Sequence, residues 1–212
     1  INQIIQNRFT EKKFINDIGI KTTNYALIKN QSDILNNIDL LPGLLKTCTL
    51  GYDGKGQFVL QNKEKVNELE IEFNREYILE KKINLKKEIS VVVTRFSNND
   101  ISIYEPIQNL HVQQILSKSV IPADIKKDIF EKAQQQAKMI AEKLDYIGTM
   151  CVEYFIDEKN NLLVNEIAPR VHNSGHLTIN TYNVSQFENH IRAVCNLEKV
   201  EMKKICNAEM VN

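Results

Sequence analysis

The sequence is first informative for what it does without. Its 212 residues hold equal numbers of basic and acidic side chains, 27 of each. No global field therefore draws the chain to nucleic acid or to a membrane surface, and any anion site has to be local. No apolar run is long enough to cross a bilayer, and nothing at the start resembles a signal segment. Cys48, Cys151, Cys195 and Cys206 are far apart and lack CxxC spacing. That excludes a disulfide scaffold and points to reduced thiols in a cytoplasmic setting. There is no internal repeat and no low-complexity tract, and the GxxxxGK[ST] and GxGxxG phosphate fingerprints are both missing. The first residue is Ile1 rather than methionine, which reads as a fragment or a processed piece. The length suffices for a real core, in two lobes.

Against these absences, residues 165–176 stand out: Asn165-Glu166-Ile167-Ala168-Pro169-Arg170-Val171-His172-Asn173-Ser174-Gly175-His176. They follow the apolar strand of residues 162–164, and Pro169 ends the pairing. A carboxylate, a fixed cation, two imidazoles, an amide and a hydroxyl crowd into a stretch that no hydrophobic core requires. Upstream lies a second strand, residues 151–156, carrying Glu153, with polar residues 157–161 as the connection. A hairpin of this kind brings Glu153 alongside Glu166. Two carboxylates that close need a cation between them or must share a proton. Hard carboxylate oxygens suit Mg²⁺, which commonly shares its shell with nucleotide phosphates. The other reading is a pair of solvent-facing glutamates on an edge hairpin.

A second candidate is Gly51-Tyr52-Asp53-Gly54-Lys55-Gly56-Gln57, flanked by strands at residues 44–46 and 58–60. Its glycines allow positive φ, its successive N–H groups can form an anion nest, and Lys55 adds a point charge. A glycine-rich hairpin turn accounts for the same spacing. Lys46 ends its strand either facing a ligand or snorkelling at an edge. Arg8 precedes a helix capped by Thr10 and stopped by Gly19.

Further elements follow. Residues 25–28 form a strand, a helix opens near Ser32, a short helix passes through Val66 and Leu69, and residues 77–80 and 88–95 are strands. Strands and helices so ordered suggest a small α/β lobe with residues 77–83 as the way out of it. From Glu88 the pattern becomes antiparallel. The longest helix spans residues 123–144, with Ile125, Ile129, Ala133, Ala137, Ile140, Ala141 and Leu144 as its apolar stripe. Ser185-Gln186-Phe187-Glu188 opens a last helix through Ile191 and Val194.

Taken together, residues 45–47, the glycine loop, residues 80–88, residues 152–155 and above all the run Ala168–His176 resemble the ATP-grasp carboxylases of purine synthesis, the N5-carboxyaminoimidazole ribonucleotide synthetases. The resemblance covers nearly the whole chain. It implies an α/β (α+β) ATP-grasp fold divided into a linking helix (residues 1–19), a lid (20–83), a metal and substrate subdomain (84–200) and the start of a C-terminal region (201–212). It implies ATP- and bicarbonate-dependent carboxylation of aminoimidazole ribonucleotide through carboxyphosphate, with ATP and Mg²⁺ as cofactors. A homodimer is expected of the full-length family member, with no nucleic-acid or membrane partner. By matching position, Arg8 and Lys46 hold phosphates under the flap Gly51, Asp53, Gly54, Gly56 and Gln57. Glu80, Lys81 and Ile83 frame the adenine, Glu88 takes the ribose, Asn165 completes the ATP contacts, and Glu153 and Glu166 hold Mg²⁺. Tyr52, Lys55, Arg170, His172 and Asn173 line the bicarbonate end. The sequence departs from the pattern by lacking an N-terminal Rossmann-like domain and most of a C-terminal lobe. Cys48 and Thr49 also stand where many relatives have a basic residue. Another ATP-grasp carboxylate–amine ligase, or an inactive ATP-binding remnant, are the competing readings.

Overall fold

The computed structural model describes residues 2–50 and 56–212. They fall into two compact units, residues 2–84 and residues 85–212. Among the described residues, no helix is long and apolar enough to cross a membrane.

The first unit opens with α1 (Asn2–Ile5) and α2 (Arg8–Asp17). Residues 2–19, expected as a linking helix, thus lie within this unit. The cap of α2 is Asn7, not Thr10: the Asn7 carboxamide oxygen accepts from the backbone N–H groups of Phe9 and Thr10. The Thr10 hydroxyl instead donates to the carbonyls of Ile4 and Asn7. Arg8 is therefore the first residue of the helix rather than its prelude. Gly19, at φ +82°, ends it as expected. Next come β1 (Tyr25–Ile28) and α3 (Gln31–Asn36). The cap of α3 is Asn30, in a reciprocal box with Asp33 that outcompetes Ser32.

The hairpin β2 (Gly43–Thr47) and β3 (Gln57–Leu60) flanks the glycine loop. α4 (Lys63–Asn67) and β4 (Tyr77–Lys81) follow. The strand order is β1-β4-β2-β3, and every pairing is antiparallel. The unit is thus α+β, without the parallel crossovers that an alternating order suggests. Ile28, Ile34, Leu45, Leu60, Val66 and Leu79 form its core.

The second unit holds β5 (Leu85–Arg95), β6 (Ile101–Ile103), β7 (Ile107–Val112) and β8 (Ile115–Ile121). α5 (Lys127–Lys143), β9 (Gly148–Asp157) and β10 (Leu162–Ala168) come next. A 3-10 turn (Asn173–Leu177), α6 (Thr178–Thr181), α7 (Gln186–Val194) and β11 (Ala208–Val211) complete it. Its described strands form one sheet ordered β10-β9-β5-β7-β8-β11, with β6 also on β5. Residues 201–212, read as the start of a further region, supply β11, which pairs antiparallel with β8.

β5 begins at Leu85, three residues before the expected start. The hairpin β7–β8 carries no sequence signal of the usual kind. Its two-residue turn is Gln113-Gln114, both at positive φ (51° and 67°), where Asn-Gly is customary. α5 starts at Lys127 rather than Ala123, since Lys126 is still extended (φ −63°, ψ 147°).

Alternation along β5 sends Ile89, Val91 and Val93 to one face and Glu88, Ser90, Val92 and Thr94 to the other. The first face meets α5, whose Ile129, Ala133, Ala137, Ile140 and Ala141 are buried. Tyr154, paired with Ile89, donates its hydroxyl to the Ala133 carbonyl across that layer (3.0 Å). The second face meets the 3-10 turn and α7, through Ser90 to Ser174 and Thr149 to the Gln186 carbonyl. α5 is scaffold, and the second face carries the polar chemistry.

One backbone packing point in the first unit is testable. A Cβ on Gly43 would sit 2.8 Å from the Leu40 carbonyl oxygen and 3.0 Å from that of Glu80. Both neighbours are backbone and cannot swing aside. Gly43→Ala should cost about 1–3 kcal/mol of stability, read as a lowered urea midpoint. An unchanged midpoint would show that β2 and β4 can separate there without cost.

Candidate active site

In the first unit the candidate residues converge on one carboxylate. Lys46 on β2 and Glu80 on β4 share a face of the sheet, and α2 places Lys12 against the same point. Lys46 Nζ lies 2.9 Å from Glu80 Oε2, and Lys12 Nζ lies 3.5 Å from Glu80 Oε1. All three side chains are almost wholly inaccessible. Burial by itself would raise the Glu80 pKa, but Lys12 and then Lys46 outweigh it and hold the carboxyl below its ordinary value. For Lys12 burial wins: desolvation lowers its pKa despite Glu80 and Glu11. Lys46 is thus neither a snorkelling edge residue nor solvent-facing. It is a buried lysine held by Glu80, a carboxylate on which the Arg8 guanidinium also acts.

Arg8, half-buried, donates its backbone N–H to the Cys48 carbonyl at 2.9 Å. Lys81 is exposed, with its Nζ on the Asp39 carbonyl (2.9 Å), and Ile83 is half-buried. At the base of the glycine loop, Gln57 pairs with Lys46 across the hairpin and the Thr47 N–H donates to the Gly56 carbonyl. Gly56 has φ +73° and lies against the Thr47 side chain, which a Cβ would meet at 3.1 Å. Gly51, Tyr52, Asp53, Gly54 and Lys55 lie outside the described residues.

In the second unit, the hairpin β9–β10 sets Glu166 directly opposite Glu153. The register shifts between Val164 and Glu166, so Asn165 is a bulge residue. Both glutamates are partly accessible, and Glu153 also pairs with Ser90 of β5. Its Oε1 lies 3.0 Å from His172 Nε2, and His172 Nδ1 lies 2.9 Å from the Ser174 hydroxyl.

The backbone of His172 is clamped by the fully buried side chain of Gln186. The carboxamide oxygen of Gln186 accepts the His172 N–H (3.0 Å), and its nitrogen donates to the His172 carbonyl (2.7 Å). Gly175 makes room for this clamp, since a Cβ there would lie 2.4 Å from the Gln186 oxygen. Arg170 is exposed, its guanidinium reaching only the Val171 carbonyl among the described contacts, and Asn173 is exposed beside His172. Glu88, on the same face of β5 as Ser90, is hydrogen-bonded to His111 of β7, and that bond raises the His111 pKa.

Among the described residues no three His, Cys, Asp or Glu side chains gather into a cage that would hold a metal unaided. Two facing, partly accessible carboxylates fit a different use. They suit a hard cation that takes the rest of its oxygens from water and phosphate, as Mg²⁺ does.

Sequence reasoning missed Lys12, Ser90, Asn109, His111 and Gln186. For Lys12 there was a signal: it lies three residues before Ile15, on the buried side of α2 with Glu11. Ser90 likewise interrupts the apolar run of β5. Asn109 and His111 were out of reach because their strand was unrecognised.

With this geometry in hand, comparison with known proteins is specific. The ATP-grasp domain family matches residues 13–187. The chain is similar to the N5-carboxyaminoimidazole ribonucleotide synthase of Bacillus subtilis (strain 168), at 41% identity over 99% of this chain and 56% of the relative. It is also similar to the crystal structure of an N5-carboxyaminoimidazole ribonucleotide synthetase in complex with ADP, at TM-score 0.92 and 41% identity, covering 99% of this chain and 56% of that one. A third match is N5-carboxyaminoimidazole synthase from Aspergillus clavatus in complex with ADP and 5-aminoimidazole ribonucleotide. Its TM-score is 0.84 and its identity 27%, over 93% of this chain and 53% of that one. The chain thus spans about half the length of the curated relatives it matches.

The buried Glu80 generates a pH dependence. Its folded pKa lies below the ordinary 4.5, so its ionised form stabilises the fold above that value, and this contribution is lost as pH falls through the folded pKa. Glu80→Gln should abolish that part of the acid sensitivity and cost about 3–5 kcal/mol near neutrality, since it leaves buried ammonium groups undercompensated. Urea unfolding from pH 7 downward measures both. Parallel pH profiles for the two proteins would show that Glu80 is not the group responsible.

Proposed function

The chain belongs to the ATP-grasp family as a homologue of N5-carboxyaminoimidazole ribonucleotide synthase, and on that premise we propose that it performs the ATP-dependent carboxylation chemistry of those enzymes. In this reading a bicarbonate oxygen attacks the γ-phosphorus of ATP, the bond to ADP breaks, and carboxyphosphate forms. The exocyclic amine of 5-aminoimidazole ribonucleotide then takes the carboxyl group, and phosphate leaves. The full-length family member is taken to be a cytoplasmic homodimer. The observation that carries the proposal is the facing pair Glu153 and Glu166, with His172, from the run Ala168–His176, placed on Glu153.

The side chains present suit these roles. Phosphoryl transfer depends mainly on positioning and on neutralising charge. Arg8 and Lys46 hold nucleotide phosphates, and the Glu80 carboxylate, 2.9 Å from Lys46 Nζ, keeps that side chain aimed although it is buried. Gly51, Asp53, Gly54, Gly56 and Gln57 cover the phosphates through backbone N–H groups. Lys81 and Ile83 frame the adenine from the end of β4, beside Glu80. Glu88 accepts from the ribose hydroxyls, steadied by His111. Asn165, on its bulge, completes the nucleotide contacts. Glu153 and Glu166 would hold Mg²⁺, which when bound supplies charge neutralisation at the phosphate oxygens. Arg170, Tyr52 and Lys55 supply cations and a donor at the bicarbonate end, which His172 and Asn173 also line.

Two measurements test the reading. Calorimetry with ATP should show tighter binding with Mg²⁺ than without, and in Glu166→Gln the ratio of the two affinities should collapse toward one. Phosphate release from ATP should be stimulated by bicarbonate and lose that stimulation in the same variant. Equal affinity with and without Mg²⁺ in the unaltered chain, or release indifferent to bicarbonate, would sink the proposal.

A further inference from the structure

The polar contacts of His172 do not end at Ser174. On β8, the Ser119 hydroxyl donates to Asn109 Oδ1 of β7 at 2.9 Å. Asn109 Nδ2 donates to Ser90 Oγ of β5 at 3.0 Å. The hydroxyls of Ser90 and Ser174 lie 2.8 Å apart, and Ser174 Oγ lies 2.9 Å from His172 Nδ1. His172 Nε2 then meets Glu153. Ser119, Ser90 and Ser174 are 0% exposed and Asn109 is 7% exposed. Four polar side chains in a closed layer are expensive unless every one is paired, and small apolar residues would fill that space at less cost. Packing alone does not call for them.

The chain also has a direction. An amide nitrogen can only donate, so Ser90 Oγ accepts from Asn109 and has its own hydrogen left for Ser174. Ser174 in turn has a hydrogen for His172 Nδ1, which also faces the Ser174 backbone N–H at 3.4 Å. With Nδ1 accepting, the ring hydrogen sits on Nε2, toward Glu153. Gln186 restrains only the backbone of His172, and the hydroxyl–amide chain is the separate restraint on its ring.

We propose that Ser119, Asn109, Ser90 and Ser174 are positioning residues. They form a hydrogen-bonded chain across β8, β7 and β5 that fixes the His172 ring as a donor to Glu153, and so fixes that carboxylate for its cation. The inference rests on the assignment of Glu153 as a metal-binding carboxylate made above.

The four histidines of the chain make the test direct. In ¹⁵N-histidine-labelled protein without metal or nucleotide, the His172 Nε2–H should be visible and protected from exchange with water. Ser90→Ala, which cuts the chain at its centre, should shift both His172 ring nitrogens and speed Nε2–H exchange, leaving the His176 and His190 signals in place. Ser119→Ala, at the remote end and less exposed to a folding defect, should move the same signals in the same direction by less. A merely structural role would lower the melting temperature without touching the His172 ring. His172 signals in the folded Ser119→Ala protein, and in Ser90→Ala where it folds, that coincide with the parent would overturn the proposal. In calorimetry, Ser90→Ala should also reduce the Mg²⁺-dependent gain in ATP affinity about 10-fold, the usual scale for a group that orients a metal ligand. A parent chain showing no such gain would overturn instead the assignment of Glu153, with the ring signals still deciding the positioning claim.

Discussion

Two carboxylates held opposite each other on neighbouring strands are the constraint on which the second unit turns. The β9–β10 register leaves Glu153 and Glu166 no freedom to separate along the sheet, and like charges so placed repel. The fold accepts that repulsion and surrounds it with donors instead of removing it. His172 answers Glu153 directly. Gln186 holds the backbone of His172, Gly175 leaves space for Gln186, and a buried layer of hydroxyls and an amide reaches the ring from behind. Each of these features is hard to explain by packing and follows once two facing carboxylates have to be held in place.

The first unit solves the converse problem. There one carboxylate, Glu80, serves two buried ammonium groups. Burying charge is costly, and pairing repays the cost only when the geometry is close and the partners are rigid. A β-sheet and a helix supply that rigidity, since Glu80 and Lys46 sit on paired strands and Lys12 on α2. The Lys46 side chain is therefore set in place by the architecture itself.

Much of this was legible in the sequence, and the reasons for the gaps are specific. The β9–β10 hairpin was readable because two apolar runs flank a plainly polar connection, and that sufficed to bring Glu153 to Glu166. The β2–β3 hairpin around the glycine loop was readable for the same reason. The hairpin β7–β8 was not, since Gln113-Gln114 adopts a left-handed turn without the residues that usually announce one. Losing β7 also hid Asn109 and His111. Helix starts were displaced wherever two capping residues competed, as with Asn7 over Thr10, because only the structure shows whose oxygen meets the open N–H groups. Buried polar residues such as Lys12 and Ser90 sat inside apolar patterns, where a single unpaired sequence position says nothing of its distant partner.

The bulge at Asn165 can be understood as a frameshift written in the backbone. A strand has a reading frame of two, and up to Val164 the frame of β10 is set by its pairing with Tyr154, which faces the helix α5. Kept in that frame, Glu166 would fall opposite Val152 and point into the apolar layer against α5. One uncounted residue restores it to Glu153 and to the polar face. The side chains on either side of the bulge thus belong to two different phases of the same strand. A homologue or a redesign that deleted position 165 would keep Glu166 in its sequence and still turn that carboxylate to the wrong side of the sheet.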